Sequence, residues 1–437
     1  MSVETLSLVM FGGLLLVLAT GLPLAWVTGG LAAGLIGLVW SPDALAVIPQ
    51  RMWGQMAQYL LAAIPLFIFM ASMLEKAGLI EDIFEVAYKW IGWVPGGLAI
   101  ATVVASTLLG AMVGVIGASV VTMGLIAMPT MLRRGYSSTL SMGSVMAGGT
   151  LGILIPPSIL AIMYALLANQ SVGELYLGSV LPGLLLSGLY SLFILVYAWM
   201  RPGLAPRLSR EELPGLRDRL RLLGGIWAPL LLVFLVLGTI FLGIAAPTEA
   251  AAVGASGAIA VAALHRKLSW ATLRDALEQT ARSTAMVLWI VFGASAFVAF
   301  YVASGGDAFV RDLLLGMGLS PTGILIVMMG ILILLGMFLD WVGILYLAVP
   351  IFLPIIHELG FNPLWFGVVY LVNMQIAFLS PPFGYALFYL RGISPENQMG
   401  TIYRSALPFL AIQVVGLIVV ILVPQLATWL PGLVYGK

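Results

Sequence analysis

Twice this chain interrupts a membrane-length apolar stretch with a Pro-Pro pair. The first reads Gly149-Thr150-Leu151-Gly152-Ile153-Leu154-Ile155-Pro156-Pro157-Ser158. The second reads Asn373-Met374-Gln375-Ile376-Ala377-Phe378-Leu379-Ser380-Pro381-Pro382-Phe383-Gly384. Proline has no backbone donor and its ring clashes with the preceding turn, so neither stretch can run through as one intact helix. In hydrocarbon, unwound backbone is tolerated only where protein buries it or where it lines a water-filled cavity. Paired breaks in two halves of a membrane chain point to the binding site of a secondary transporter.

Only 8% of the 437 residues are charged and 62% are hydrophobic, whereas a soluble domain carries about 25% charged residues. The chain therefore reads as an all-α polytopic protein solvated by a lipid bilayer. A formal net charge of +1 with no basic run gives no footprint for nucleic acid. There are no cysteines, which removes disulfides, thiolate chemistry and Cys-based metal sites. His265 and His357 fall in predicted loops on opposite sides, so no His-based metal centre is expected. The chain has no Gly-Lys-Ser/Thr phosphate loop and hence no ATP site of that kind. No cleavable signal is expected either, because Met1 to Thr5 lacks a basic start. An enzyme would need a nucleophile–base pair or a metal set within the spans, and only Asp340 is available there, so none is expected.

The Pro-Pro match extends into a repeat. Pro156 and Pro381 lie 225 residues apart, as do Gly135-Tyr136 and Gly360-Phe361, and Met128-Pro129 and Leu353-Pro354. At 226 residues, Gly110, Gly114 and Gly117 answer to Gly336, Asp340 and Gly343, and Ser179 with Leu181-Pro182 to Ser405 with Leu407-Pro408. The halves are 1–200 and 225–437, joined by a basic linker, 201–224.

Placing that linker in the cytoplasm sets the topology by the positive-inside rule. Spans are expected near 7–21, 23–40, 58–75, 138–168 (broken) and 178–200, with a re-entrant hairpin at 95–132. The second half gives 224–243, 248–264, 283–303, 364–390 (broken) and 405–430, with a hairpin at 321–356. This threading leaves sixteen Lys and Arg inside and only Arg51, Arg311 and Lys437 outside. Five spans and a hairpin per half invert the second half relative to the first, and both termini face outward. Segments 79–93 and 268–282 alternate apolar and charged residues at helical spacing and read as surface helices that brace the spans or simply connect them.

Hairpin tips and breaks should share one central site. Free carbonyls and half-helix C-termini suit a hard cation, and half-helix N-termini suit a carboxylate. With no Lys or Arg in a span, an anionic substrate has to be neutralised by helix ends, hydroxyls and co-bound cations. Asp340 is the one deep acid and is a functional candidate, although capping of the arm that follows would also account for it. Ser119, Thr150, Ser158, Asn373, Gln375 and Gly384 are the other substrate-site candidates; helix–helix hydrogen bonding is the alternative role for the polar ones. Glu249, in Pro247-Thr248-Glu249, reads as a first-turn acid that helps start a helix.

At Ile155-Pro156-Pro157-Ser158, Ala246-Pro247-Thr248-Glu249-Ala250, Gly336-Met337-Phe338-Leu339-Asp340 and Ser380-Pro381-Pro382-Phe383-Gly384, the chain resembles the large membrane subunit of TRAP (tripartite ATP-independent periplasmic) transporters. That resemblance implies Na⁺-driven import of small organic anions by an elevator-type movement across a bacterial inner membrane, with no organic cofactor. It also implies two partners, a small four-span membrane subunit and a periplasmic substrate-binding protein. Proton coupling, or a channel of related architecture, is the alternative. The implied cation positions are the first tip (Gly110, Val113, Gly114) with Gly152, Ile155 and Pro157, and then Gly336, Ala377, Ser380 and Phe383. The repeat offset independently maps Gly152 onto Ala377 and Ile155 onto Ser380. Where many members have a Ser-Gly-Ser-Ser tip, this chain has Val113-Gly114-Val115-Ile116, which leaves backbone carbonyls, Ser119 or Thr122 as ligands there, with carbonyls expected to do most of the coordination. That tip resembles a branch associated with keto or hydroxy acids.

Overall fold

Both Pro-Pro pairs unwind their helices. In the first half, Ser138–Thr150 runs into one tight turn, Leu151–Ile153, and the helix resumes only at Ile159–Ala168. In the second, Pro363–Leu379 stops and Tyr385–Ile393 begins after an irregular segment, 380–384. Both Pro-Pro peptide bonds are cis. The structure, a computed structural model, describes residues 1–208 and 214–436, so Arg210, Glu211 and Glu212 of the linker, and Lys437, lie outside the described residues.

The hairpins also form where expected. Gly97–Val113 and Ile116–Arg133 make the first, and Pro321–Gly336 and Trp341–Glu358 the second. The first tip turns on Gly114, whose φ of +61° favours a residue without Cβ. At the base of that hairpin the buried Tyr136 hydroxyl donates to Pro206 O at 2.8 Å and accepts from Leu98 N at 3.2 Å, tying the linker to the hairpin. Burial pushes that phenol up to about 12, so it stays a donor at any physiological pH.

All described secondary structure is helical, and eight of the helices are long and apolar enough to cross a membrane. Their packing is reciprocal between the halves. Pro247–Leu264 lies on Ala63–Lys76, while Leu24–Leu35 lies on Trp270–Ala303. The last span of each half, Val172–Met200 or Met399–Leu422, packs on the broken helix of the other half. Tyr385–Ile393 lies on the returning arm of the first hairpin, and Ile159–Ala168 on that of the second. Hairpins and broken helices thus form one interlocked body. The second and third spans of both halves form the wall beside it.

Four elements differ from the sequence reading. Segment 268–282 is no separate surface helix but the first half of the continuous Trp270–Ala303. Its counterpart is the short helix pair Pro42–Ala46 and Val47–Met56, which the sequence reading missed; there the chain is interrupted at Ala57-Gln58 before Tyr59–Lys76. The amphipathic Ile80–Ile91 is present, and its second-half counterpart is Gly306–Leu315, also missed. Finally, the span expected at 405–430 divides into Met399–Leu422 and Gln425–Tyr435. His357 sits in the last turn of the second hairpin's returning arm rather than in a loop. Glu249 reaches back to the Ala246 N–H at 2.9 Å, the helix-starting contact expected of it.

Candidate functional site

A cavity of about 650 Å³ lies between the interlocked body and the wall. The body contributes Val113 and Val115 of the first tip, Asp340 and Trp341 of the second, Ile159 after the first break, and Tyr385 and Tyr389 after the second. The wall contributes Pro23 to Trp26, one face of 68–75 and one face of 279–290. Both tips, and the starts of the helices that follow both breaks, therefore line one space. Glu75 lines it too, where its Oε2 accepts from Gln279 Nε2 at 3.2 Å.

Four helices begin at this cavity: Ile116–Arg133, Ile159–Ala168, Trp341–Glu358 and Tyr385–Ile393. Each directs free N–H groups and partial positive charge toward its own start. Two of the starts are capped by side chains. Ser158 accepts from Ala161 N at 3.2 Å, and Asp340 Oδ1 accepts from Val342 N at 2.9 Å. The starts at Ile116 and Tyr385 have no side-chain cap. Among the described residues, no Lys or Arg stands in the lining. Helix ends are thus the positive groups offered to an anion here, which is how helix N-termini bind carboxylates and phosphates.

Residues of the first tip and first break converge. A methyl group built on Gly110 would lie 3.0 Å from Gly152 Cα, and one on Gly114 only 2.5 Å from Pro157 O. One built on Gly152 would lie 3.3 Å from Ser119 Oγ and 3.7 Å from Val115 O. Ser119 Oγ is buried with no hydrogen-bond partner. A buried hydroxyl without a partner costs free energy, and a hard cation held by a hydroxyl and carbonyls would satisfy it. Val113 is buried at the tip, and Ile155 packs toward Gly183 in the last span of the half.

Around the second break the geometry is similar but the polar groups are committed. A methyl on Gly336 would meet Ala377 Cβ at 2.3 Å, the same close backbone approach as Gly110 on Gly152. Ser380 Oγ donates to Ile376 O at 2.7 Å, and Ser380 O accepts from Gly384 N at 3.0 Å. Pro382 O accepts from the Tyr403 hydroxyl at 2.9 Å. The Phe383 ring is exposed and stacks on Phe388, so only its backbone faces the break.

The remaining polar candidates are buried and do not line the cavity. Thr150 Oγ1 donates to Ala147 O at 2.9 Å and accepts from Gln413 Nε2 at 3.4 Å. Ser158 caps its own helix and also donates to Ile153 O. Asn373 Nδ2 donates to Met329 O and Gln375 Nε2 to Leu371 O, each at 3.2 Å, while both amide oxygens lack partners. Of the sequence candidates, only Val113 and Asp340 line the cavity itself. Tyr385, Tyr389, Trp341, Gly117 and Ala118 line it and were missed. Spacing held a signal for the first two: a pair four apart directly after a break shares one helix face.

Residues 11–426 match the family described as the DctM component of the tripartite ATP-independent periplasmic transporters. The C4-dicarboxylate TRAP transporter large permease protein of Vibrio cholerae is 34% identical, the match covering 97% of this chain and 98% of that one. The protein of the same description from Pseudomonas aeruginosa is 35% identical over 92% of this chain and 93% of its own. Among solved structures, the YdaH transporter of Alcanivorax borkumensis superposes with a TM-score of 0.62 at 18% identity, covering 93% of this chain and 96% of that chain. It shares the fold.

Proposed function

This chain belongs to the DctM family of tripartite ATP-independent periplasmic transporters, as a multi-pass large permease subunit and not an enzyme, and on that premise we propose that it imports small organic anions by Na⁺ symport. The observation that carries this reading is the cavity onto which four helix starts converge with no cationic side chain. Each helix start supplies about half a charge, so the two uncapped starts together offer about one, and the cavity already sets the acidic side chains Asp340 and Glu75 against it, which leaves an organic anion undercompensated. Co-bound cations supply the rest. The orphaned Ser119 hydroxyl beside Val115 O and Gly152 supports a first cation position, and Ser380 with the close Gly336–Ala377 contact supports a second.

The basic linker and Arg133, Arg134, Arg266, Lys267, Arg274 and Arg282 support a cytoplasmic placement of that face in a bacterial inner membrane, with both termini periplasmic. On this orientation the cavity opens beside Glu75, Gln279 and Ser283 toward the cytoplasm, and the conformation faces inward. The interlocked body of hairpins and broken helices is then the moving part of an elevator. The spans that wall the cavity are its fixed scaffold, arranged as an inverted repeat. The partners are a small four-span membrane subunit and a periplasmic binding protein that delivers the anion. Small carboxylates are the substrate class, and C4-dicarboxylates, which the two relatives carry by description, are the first to test.

The experiment is uptake of labelled succinate and malate into proteoliposomes holding this chain, its small subunit and its binding protein. Uptake should require an inward Na⁺ gradient and stop when Na⁺ is replaced by K⁺. Uptake driven by a proton gradient without Na⁺ would overturn the coupling. Ion currents far above carrier turnover would overturn the carrier.

A further inference from the structure

A second cavity, of about 330 Å³, lies at the other end of the same wall, lined by Arg51, Gln55, Ser295, Val302 and Tyr346 among others. The two cavities are built from corresponding residues. Adding 227 to Ile68, Ala71, Ser72 and Glu75, which line the first, gives Ser295, Val298, Ala299 and Val302, which line the second. On the other side of the interruption at Ala57-Gln58 the offset is 228, and Arg51 and Gln55 of the second cavity answer to Gln279 and Ser283 of the first. The second cavity is thus the counterpart of the first on the opposite membrane face. Tyr346, on the returning arm of the second hairpin, closes it against the wall through its hydroxyl and Gln55 Oε1 at 3.3 Å.

The correspondence fails in charge. Where the first cavity has Glu75, the second has Val302; where the first has Gln279, the second has Arg51. Among the described residues, no carboxylate lines the second cavity, and no Lys or Arg lines the first, which also holds Asp340. Lys76 Nζ pairs loosely with Glu75 Oε1 at 3.9 Å from outside the lining, while Glu75 itself lines the cavity.

We propose that Arg51, with the Gln55 amide, forms an oxyanion-collecting site in the exterior vestibule, and that Glu75 makes the cytoplasmic vestibule anion-repelling. This rests on the outward placement of Arg51 and on an anionic cargo. A guanidinium with no competing acid attracts a carboxylate or sulfonate into a low-dielectric cleft, while Glu75 speeds its departure on the other side. The final accumulation is fixed by the ion gradients. The vestibule charges set how readily each face loads and empties, which makes import faster than the reverse reaction at equal anion concentrations.

The absence of native cysteines makes the test direct. Val302→Cys reports the second vestibule and Ser283→Cys the first, each in the complete transporter. Their rates are measured with a neutral, a sulfonate-bearing and a trimethylammonium-bearing methanethiosulfonate, applied from either side of the membrane. The sulfonate-to-ammonium rate ratio should be higher at Val302→Cys, reached from outside. Arg51→Gln should lower that ratio about tenfold, the size expected for one charge several ångströms away in a partly aqueous cleft, and Arg51→Lys should retain it. Glu75→Gln should raise the ratio at Ser283→Cys. A ratio at Val302→Cys indifferent to Arg51→Gln would overturn the proposal even if uptake proved Na⁺-coupled. Labelling of Val302→Cys from the cytoplasm only would overturn the orientation on which it stands. No labelling by the neutral reagent would show that no vestibule exists there.

Discussion

Asp340 caps the second hairpin's returning arm through Val342 N and also lines the cavity, so its position is compatible with both the capping role and the proposed role at the site. They separate on substitution. Asn caps about as well as Asp, so Asp340→Asn should assemble normally while apparent Na⁺ affinity falls about tenfold, or about 1.4 kcal/mol. Na⁺-dependent uptake at wild-type affinity would leave capping as the whole role. Ser119 has no such second duty, since its hydroxyl is buried without a partner; Ser119→Ala should weaken Na⁺ dependence without lowering thermal stability, and a large loss of stability with unchanged Na⁺ affinity would refute its role as a ligand. Asp340 was legible because an acid deep in an apolar run has few bland explanations. Thr150, Ser158, Asn373 and Gln375 looked equivalent in sequence, yet their donors are spent on neighbouring carbonyls. Rotamer and partner decide that, and residue type does not encode them.

At the scale of elements, the breaks and hairpins were legible because Pro-Pro and Gly at fixed offsets leave a helix few options. Gly114 combines a left-handed φ with the Pro157 carbonyl 2.5 Å from any Cβ. Gly114→Ala should therefore cost about 2 kcal/mol or more, read as a lower unfolding temperature in detergent, and should abolish uptake. Gly188→Ala, in an open stretch of Val172–Met200, is the control and should not destabilise. At the second break, Pro381→Ala should weaken Na⁺ dependence more than Ser380→Ala. The proline holds the backbone out of helix and so exposes several carbonyls, whereas Ser380→Ala removes one hydroxyl that already donates to Ile376 O, worth about 1 kcal/mol. The opposite order of effects would mean that side chains hold the ion. Helices 42–56 and 270–282 were harder to read. Whether an amphipathic segment stands alone or extends a span depends on one junction, and Ala57-Gln58 interrupts where Ala285-Met286 does not. Neither dipeptide announces this.

For the whole molecule, each half's broken helix packs against the other half's last span, so the two halves are not separate bodies in the fold. On the proposed elevator movement the mechanical boundary runs instead between the interlocked body and the wall, and periodicity along the chain cannot show it, because both bodies draw helices from both halves. Few polar contacts cross it in this conformation. Gln55 to Tyr346 is one, at the end remote from the larger cavity. If the body slides along the wall to carry its cargo across, that contact must break in every cycle. The chain has no cysteines, so Gln55→Cys with Tyr346→Cys places this chain's only two thiols at this junction. Joining them with a short bifunctional methanethiosulfonate should stop Na⁺-driven uptake completely and leave the protein folded, and reduction should restore it. The same reagent on Tyr346→Cys alone should leave most of the activity, and on Gln55→Cys alone should slow uptake without stopping it. Full uptake by the cross-linked double variant would mean that body and wall do not move apart here, and that alternating access is achieved by the tips alone.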